Sequence, residues 1–285
     1  MAIRIGLVDH HLNNYHADVF LRLIRAGRAG REAEIVAAWE SNPTGDDWCV
    51  KNKVRRAASP QDAARDADAV MVLAPDNIDV HPAFCDQVLP LGKPTFVDKY
   101  LAPTVAEART IVAQAEKNRT PLLCCSALRY AEELNELLAD APQPIQAMYS
   151  RGMGQWKGYG IHSVSPVVRV MGGGVRRVID TGVPGDSFVT LDYGDGHRAL
   201  IEVHACDNGY EVFSWQLGIR VGNSYRITTV KQYEQFYANQ MMAVLNFFAT
   251  SQPDITPQEA ISVVAILEGA EKSQAGGGVW VPVEA

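Results

Sequence analysis

The first 125 residues contain short stretches that are almost continuously apolar, and no other feature limits the fold as much. They are residues 3–8 (IRIGLV), 34–39 (EIVAAW), 69–74 (AVMVLA), 94–98 (PTFVD) and 121–125 (PLLCC). A strand with one wet face alternates apolar and polar residues. These runs do not, so both of their faces must be buried, as in a parallel sheet covered by helices. Helical patterns separate them. Residues 14–27 place Tyr15, Val19, Phe20, Leu23 and Ile24 on one face, with Gly27 as a stop. Ser59-Pro60 opens a short helix, and another spans about 80–90. Thr104 and Glu107 have capping-box spacing ahead of a helix to Asn118. Alternating strands and helices predict an α/β fold, a doubly wound, Rossmann-like parallel sheet over residues 1–127.

Residues 128–285 read differently. Helices near 130–140 and 160–171 flank a strand at 145–151, and residues 175–230 alternate strands with turns such as Tyr193-Gly-Asp-Gly-His197. Asp207-Asn208-Gly209 reads as a further turn. Arg198, Leu200, Glu202, His204 and Cys206 share one face of a strand; Ala199, Ile201, Val203 and Ala205 share the other. A second α+β domain is expected, with a mostly antiparallel sheet, one apolar face and one mixed face. Trp215, Leu217, Ile219 and Val221 form a ladder that suits either an inward face or a contact with another copy. Helices at 238–250 and 257–273 and a short run at 279–283 close the chain. A homo-oligomer through this sheet is expected.

A chain of 285 residues has room for two such domains. Its 33 acidic and 26 basic residues give a net charge of -7, which argues against nucleic acid as a partner. Five cysteines without CxxC spacing suit a reducing compartment, and no apolar run approaches membrane-spanning length. A soluble cytoplasmic protein is expected, with a small molecule as its partner.

In an open parallel sheet, ligands bind beyond the carboxyl ends of the strands. Those ends place Asp9, His10, His11, Leu12, Asn13, Glu40, Ala74, Pro75, Asp98 and Lys99 among the candidate binding residues. An acidic residue ending strand two favours the ribose hydroxyls of NAD over the 2′-phosphate of NADP, which is the role read for Glu40. His10, His11 and His16 beside Asp9 suit a metal chemically, but the spacing fits no ligand motif, and no metal is assigned.

Three segments, FVDKYLAPTVAEARTIVAQAEKNRTPLLCCSALRY, GIHSVSPVVRVMG and QPDITPQEAISVVAILEGAEKSQAGGGVWVPV, resemble the Gfo/Idh/MocA family of nicotinamide-dependent sugar and cyclitol oxidoreductases. The resemblance implies hydride transfer between NAD(P) and a sugar or cyclitol hydroxyl. It assigns Lys99 to the nicotinamide region and the reacting hydroxyl, His162 to proton transfer, and Arg129 of the Arg-aromatic pair to the cofactor side. An ammonium stabilises a developing alkoxide, and an imidazole exchanges protons near neutrality. Lys99 and His162 are expected to meet in the cleft between the domains.

Several positions depart from the family. Asp9-His-His-Leu-Asn-Asn14 replaces the glycine fingerprint G-x-G-x-x-G, putting Cβ atoms and a carboxylate where amides should approach a pyrophosphate. Asp98-Lys99-Tyr100 replaces Glu-Lys-Pro, so Tyr100 adds a phenol to the catalytic candidates. Gly158 stands where an Asp is common. The readings left open are an oxidoreductase with weak NAD binding, a non-catalytic homologue that binds a ligand or partner, and NAD-assisted elimination or glycoside cleavage.

Overall fold

The computed structural model describes residues 2–141, 143–206 and 214–284; the turn read at 207–209 lies outside them. The chain divides into two compact units. The first comprises Met1–Cys125 with Tyr237–Pro257, and the second Ser126–Phe236 with Gln258–Ala285.

The first unit is a six-stranded sheet of β1 (Ile3–Asp9), β2 (Ala33–Glu40), β3 (Arg55–Arg56), β4 (Ala69–Val72), β5 (Thr95–Asp98) and β6 (Leu122–Cys125). Their order is β3-β2-β1-β4-β5-β6 and every pairing is parallel. This is the expected doubly wound α/β arrangement, with its topological switch point between β1 and β4. The strands β4, β5 and β6 are buried at every position, as their unbroken apolar text requires.

Helices α1 (Tyr15–Arg25), α2 (Trp48–Asn52), α3 (Pro60–Arg65), α4 (His81–Val88) and α5 (Val105–Asn118) connect them. Local chemistry fixes their starts. Asn14 accepts from the Ala17 N–H, Asp47 from Val50, Ser59 from Asp62 and Thr104 from Glu107, each satisfying a donor that the first helical turn leaves open. Gly6 in β1 lets α3 lie close. A Cβ there would stand 2.5 Å from the Ala63 carbonyl oxygen.

The second unit holds a seven-stranded sheet built from β7 (Ala147–Met153), β8 (Arg177–Asp180), β9 (Asp186–Gly194), β10 (His197–His204), β11 (Gln216–Val221), β12 (Ser224–Thr229) and β13 (Val281–Pro282), in the order β12-β11-β7-β10-β9-β8-β13. Only β7 and β10 pair in parallel. Asp195 and Gly196, both at positive φ, close the tight turn between β9 and β10. Ala199, Ile201 and Val203 are buried, while Leu200 is 53% exposed. Trp215, Leu217 and Ile219 are buried too, so the ladder faces inward and the mixed face is the open one.

Helices α6 (Glu132–Leu138), α7 (Trp156–Met171) and α9 (Pro257–Ala275) belong to this unit, and α8 (Tyr233–Thr250) carries the chain back to the first. There Met242 packs over Gly30 and Asn246 accepts from Arg31. No helix among the described residues is long and apolar enough to cross a membrane.

The β1–α3 contact has a direct test. Gly6→Ala forces a methyl group against backbone that has no flexible end to move, and overpacking of this kind costs about 1–3 kcal/mol. Urea unfolding of the variant should show that loss, and an unchanged midpoint would refute the close approach.

Candidate functional site

The end of β1 delivers Asp9 to the switch point. Its side chain is fully buried. Oδ1 accepts from the His10 N–H (2.7 Å), the His11 N–H (3.3 Å) and the Ala74 N–H (3.0 Å), and Oδ2 accepts from Asn14 Nδ2 (2.8 Å). The carboxylate thus gathers the amides of the first βα loop and ties β1 to the end of β4. Burial pushes its pKa up to about 7, outweighing the hydrogen bonds from Asn14 and the backbone, which act the other way.

The rest of the loop is stitched to the segment after β2. His10 Nδ1 lies 2.6 Å from Ser41 Oγ, and His11 Nδ1 lies 2.5 Å from the Asn42 carbonyl. Asn13 Nδ2 donates to the Thr44 and Asp46 carbonyls. Leu12 is buried, and its N–H donates to Glu40 Oε2 at 2.7 Å. Glu40 Oε1 takes both guanidinium NH2 groups of Arg56 at 3.1 Å, and Arg56 also reaches Asp47 at 2.8 Å. Burial lowers the pKa of His10, and its neighbour His11 adds to the effect.

The ends of β4 and β5 form the next part of the rim. Ala74 and Lys99 both adopt left-handed backbone, at φ 49 and φ 60, a conformation that costs a non-glycine residue energy and clusters at functional sites. Pro75 is buried after Ala74. Lys99 is buried, with Nζ 3.4 Å from Asp76 Oδ1. The two turns are clamped by His81, whose Nε2 lies 2.6 Å from the Leu73 carbonyl and Nδ1 3.2 Å from that of Tyr100. Burial lowers its pKa, against its hydrogen bonds to the backbone carbonyls, which act the other way. Tyr100 itself is half-buried. Asp98 is paired with His16 of α1 at 2.5 Å, and the other ring nitrogen of His16 is 3.5 Å from the Tyr237 hydroxyl.

In the second unit His162 stands in the early turns of α7. Its Nδ1 is 2.8 Å from the buried Ser126 Oγ, and the Tyr159 and Trp215 rings meet it edge-on at 5.6 and 5.8 Å. Gly158 interrupts α7 four residues earlier at φ 95, a left-handed value that favours glycine. Arg129 is buried and held by Glu259 at 3.5 Å. On the open sheet face, His204 lies between Glu202 and Asp186, and Tyr149 donates to Glu202 at 2.9 Å. Burial opposes the charge on both His204 and Glu202. Their mutual hydrogen bond, with Asp186 and Tyr149, outweighs it and holds His204 above and Glu202 below their usual values.

The structure therefore brings Asp9, His10, His11, Leu12, Asn13, Glu40 and Ala74 into one network. Lys99 and Tyr100 stand on the adjoining rim, with Asp98 beside them and turned to His16. His162 and Arg129 belong to the other unit. No group of three or more His, Cys, Asp or Glu side chains among the described residues is arranged to hold a metal.

Residues 13–124 match the family model described as an oxidoreductase family with an NAD-binding Rossmann fold, that of the Gfo/Idh/MocA proteins. These residues belong to the Gfo/Idh/MocA family. The whole chain shares its fold with solved structures of low sequence identity. GenD2 from gentamicin A biosynthesis, solved in complex with NAD, superposes with a TM-score of 0.81 at 17% identity over 100% of this chain and 97% of its own. The myo-inositol 2-dehydrogenase of Lactobacillus plantarum gives 0.76 at 14% identity, covering 100% of each chain. The scyllo-inositol dehydrogenase of Lactobacillus casei gives 0.78 at 14%, over 100% of this chain and 99% of that one. No curated protein matches the sequence.

Several residues of this Gfo/Idh/MocA domain escaped the sequence reading. Asn14 carried a signal, since an Asn just before an amphipathic helix is a cap. Arg56 and Asp76 carried none, because each finds its partner across the fold. The burial of Asp9 sets a pH dependence on stability. Its folded pKa lies above the unfolded value, so the stabilising contribution of the neutral acid is complete below about pH 4 and is lost as pH rises through about 7. Asp9→Asn cannot ionise. Between about pH 5 and pH 8 it should gain about 2 kcal/mol relative to the native protein in urea unfolding. Parallel stability curves for the two proteins would contradict this.

Proposed function

We propose that the chain is a nicotinamide-dependent oxidoreductase that moves a hydride between NAD(H) and a secondary hydroxyl of a sugar or cyclitol. The observation that carries this reading is Lys99, a buried lysine held in left-handed backbone at the carboxyl end of β5. Strand ends on this side of an open parallel sheet are where ligands bind. The match to an NAD-binding family and the inositol dehydrogenases that share the fold support the same chemistry.

The residues of the first unit fit a dinucleotide on one condition. Strand order and the start of α1 suit a dinucleotide, and Glu40 ends β2 at the ribose position with Arg56 paired to it. Asp9 fits only as a neutral acid, because its carboxylate would face the pyrophosphate. Asp9, His10, His11, Leu12 and Asn13 would flank the phosphates, Glu40 the ribose, and Ala74, Pro75, Asp98, Lys99 and Arg129 the nicotinamide half.

When bound, the nicotinamide supplies the hydride acceptor or donor. The Lys99 ammonium favours the alkoxide that develops on the reacting oxygen. In the tautomer whose Nδ1–H donates to Ser126 Oγ, His162 takes the hydroxyl proton at Nε2. Tyr100 offers a phenol for the same proton. The test is NADH formation from NAD and a panel of inositols and aldoses. Lys99→Met should cost roughly a hundredfold or more in kcat. His162→Ala should cost about a hundred to ten-thousandfold. Turnover that survives both substitutions overturns the assignment.

The Asp9 network favours a second reading, a homologue that binds a polyol without a cofactor. NADH that fails to bind at any pH would select it.

The chain also self-associates in this proposal, through the open face of the second sheet. Ile227 lies over Gly218 beside Tyr149, and Leu200 and Phe188 continue the apolar surface. Light scattering should give a dimer or larger for the native protein and a smaller species for Leu200→Glu. A native monomer at micromolar concentration would rule this face out as a self-association surface.

A further inference from the structure

The crevice at the switch point of a doubly wound sheet is where a dinucleotide lays its pyrophosphate, on backbone N–H groups of the first βα loop. In this chain the amides of His10, His11 and Ala74 already point at one anion, the Asp9 carboxylate, and Asn14 Nδ2 completes the set. The carboxylate is fully buried and links the two strands that flank the crevice. It occupies these donors as a phosphoryl group would.

We propose that Asp9 is an internal anion in the phosphate site of the first unit, and that a dinucleotide binds there only together with one proton taken up by Asp9. The inference rests on the reading above that NAD(H) binds this unit. Ionised Asp9 both competes for the amides and repels the phosphates. As the neutral acid it gives up the amides and presents an O–H that donates to a phosphoryl oxygen. The balance is one proton in and one dinucleotide bound, with no covalent change.

The other ionisable groups around Asp9 have partners of their own. The rings of His10 and His11, on its own loop, meet at a tilt of 59° with centroids 4.1 Å apart and turn their Nδ1 atoms to Ser41 and Asn42. From β2, Glu40 is neutralised by Arg56. From the β4 and β5 ends, Asp76 and Lys99 pair with each other. From α1 comes Asn14, while His16 is turned to Asp98. The donors to Asp9 are neutral, so burial dominates and its pKa rises to about 7. Binding an anion raises it further. Affinity should therefore be flat below about pH 6.5 and weaken about tenfold per pH unit above 7.

Calorimetric titration of NADH into the full chain, at pH 6 and pH 8 in buffers of different ionisation enthalpy, tests this directly. The expected result is little proton exchange at pH 6, uptake of about one proton at pH 8, and a Kd at pH 8 about tenfold or more weaker. Asp9→Asn should bind with the same affinity at both values and take up no proton. Uptake that persists in Asp9→Asn would assign the proton to His10 or His11 and overturn the proposal. Native binding that is independent of pH would overturn it while leaving the cofactor reading intact. No NADH binding by either protein at pH 6 would overturn both. Should the variant not fold, the native uptake at pH 8 must persist in His10→Asn and in His11→Asn, and its loss in either would overturn the proposal.

Discussion

A buried carboxylate with no cationic partner among the described residues organises the first unit. Asp9 ends β1 at the point where the strand order reverses, and its oxygens collect amides from its own loop and from the turn after β4. Removing a carboxylate from water carries a large penalty unless hydrogen bonds compensate. Here the compensation comes from neutral donors, and the remainder appears as a raised pKa. The same geometry fixes the loop. With Asp9 anchored, His10, His11, Leu12 and Asn13 are directed toward the end of β2 and the segment after it, and each makes a contact there. A glycine loop leaves such amides for a ligand; this loop satisfies them internally.

The neighbouring turns show a related economy of position. Ala74 and Lys99 hold left-handed backbone without being glycine, and both turns are tied to His81. Strain at strand ends persists only where surrounding contacts over-determine it. The His81 ring, the Asp76–Lys99 pair and the Asp98–His16 pair supply those contacts. The lysine is thereby presented at the rim of the sheet by backbone shape rather than by a long flexible reach.

The second unit separates two tasks across one sheet. Its apolar face packs on helices, and Trp215, Leu217 and Ile219 join that core. Its other face carries the Glu202–His204–Asp186 cluster with Phe188, Leu200 and Ile227. His162, on α7, is held by Ser126 and two aromatic rings.

The sequence by itself determined the features that depend on near neighbours. Unbroken apolar strands require burial on both faces, which specifies a parallel sheet under helices, and Ser59, Thr104 and their i+3 partners mark helix starts. Alternation in 198–206 assigned the two faces of β10 before any contact was known. The tertiary structure decided whatever depends on residues far apart in the chain. Asp9 meets Ala74 across 65 positions and Asp98 meets His16 across 82, and no local pattern encodes such pairs. The ladder at 215–221 was ambiguous because alternation names two faces without saying which is inside. Glu40 read as a ribose acceptor from its place at a strand end; only the folded chain brings Arg56 and the Leu12 amide to it. Side-chain identity fixes what a group can bind, and the fold fixes what reaches it first.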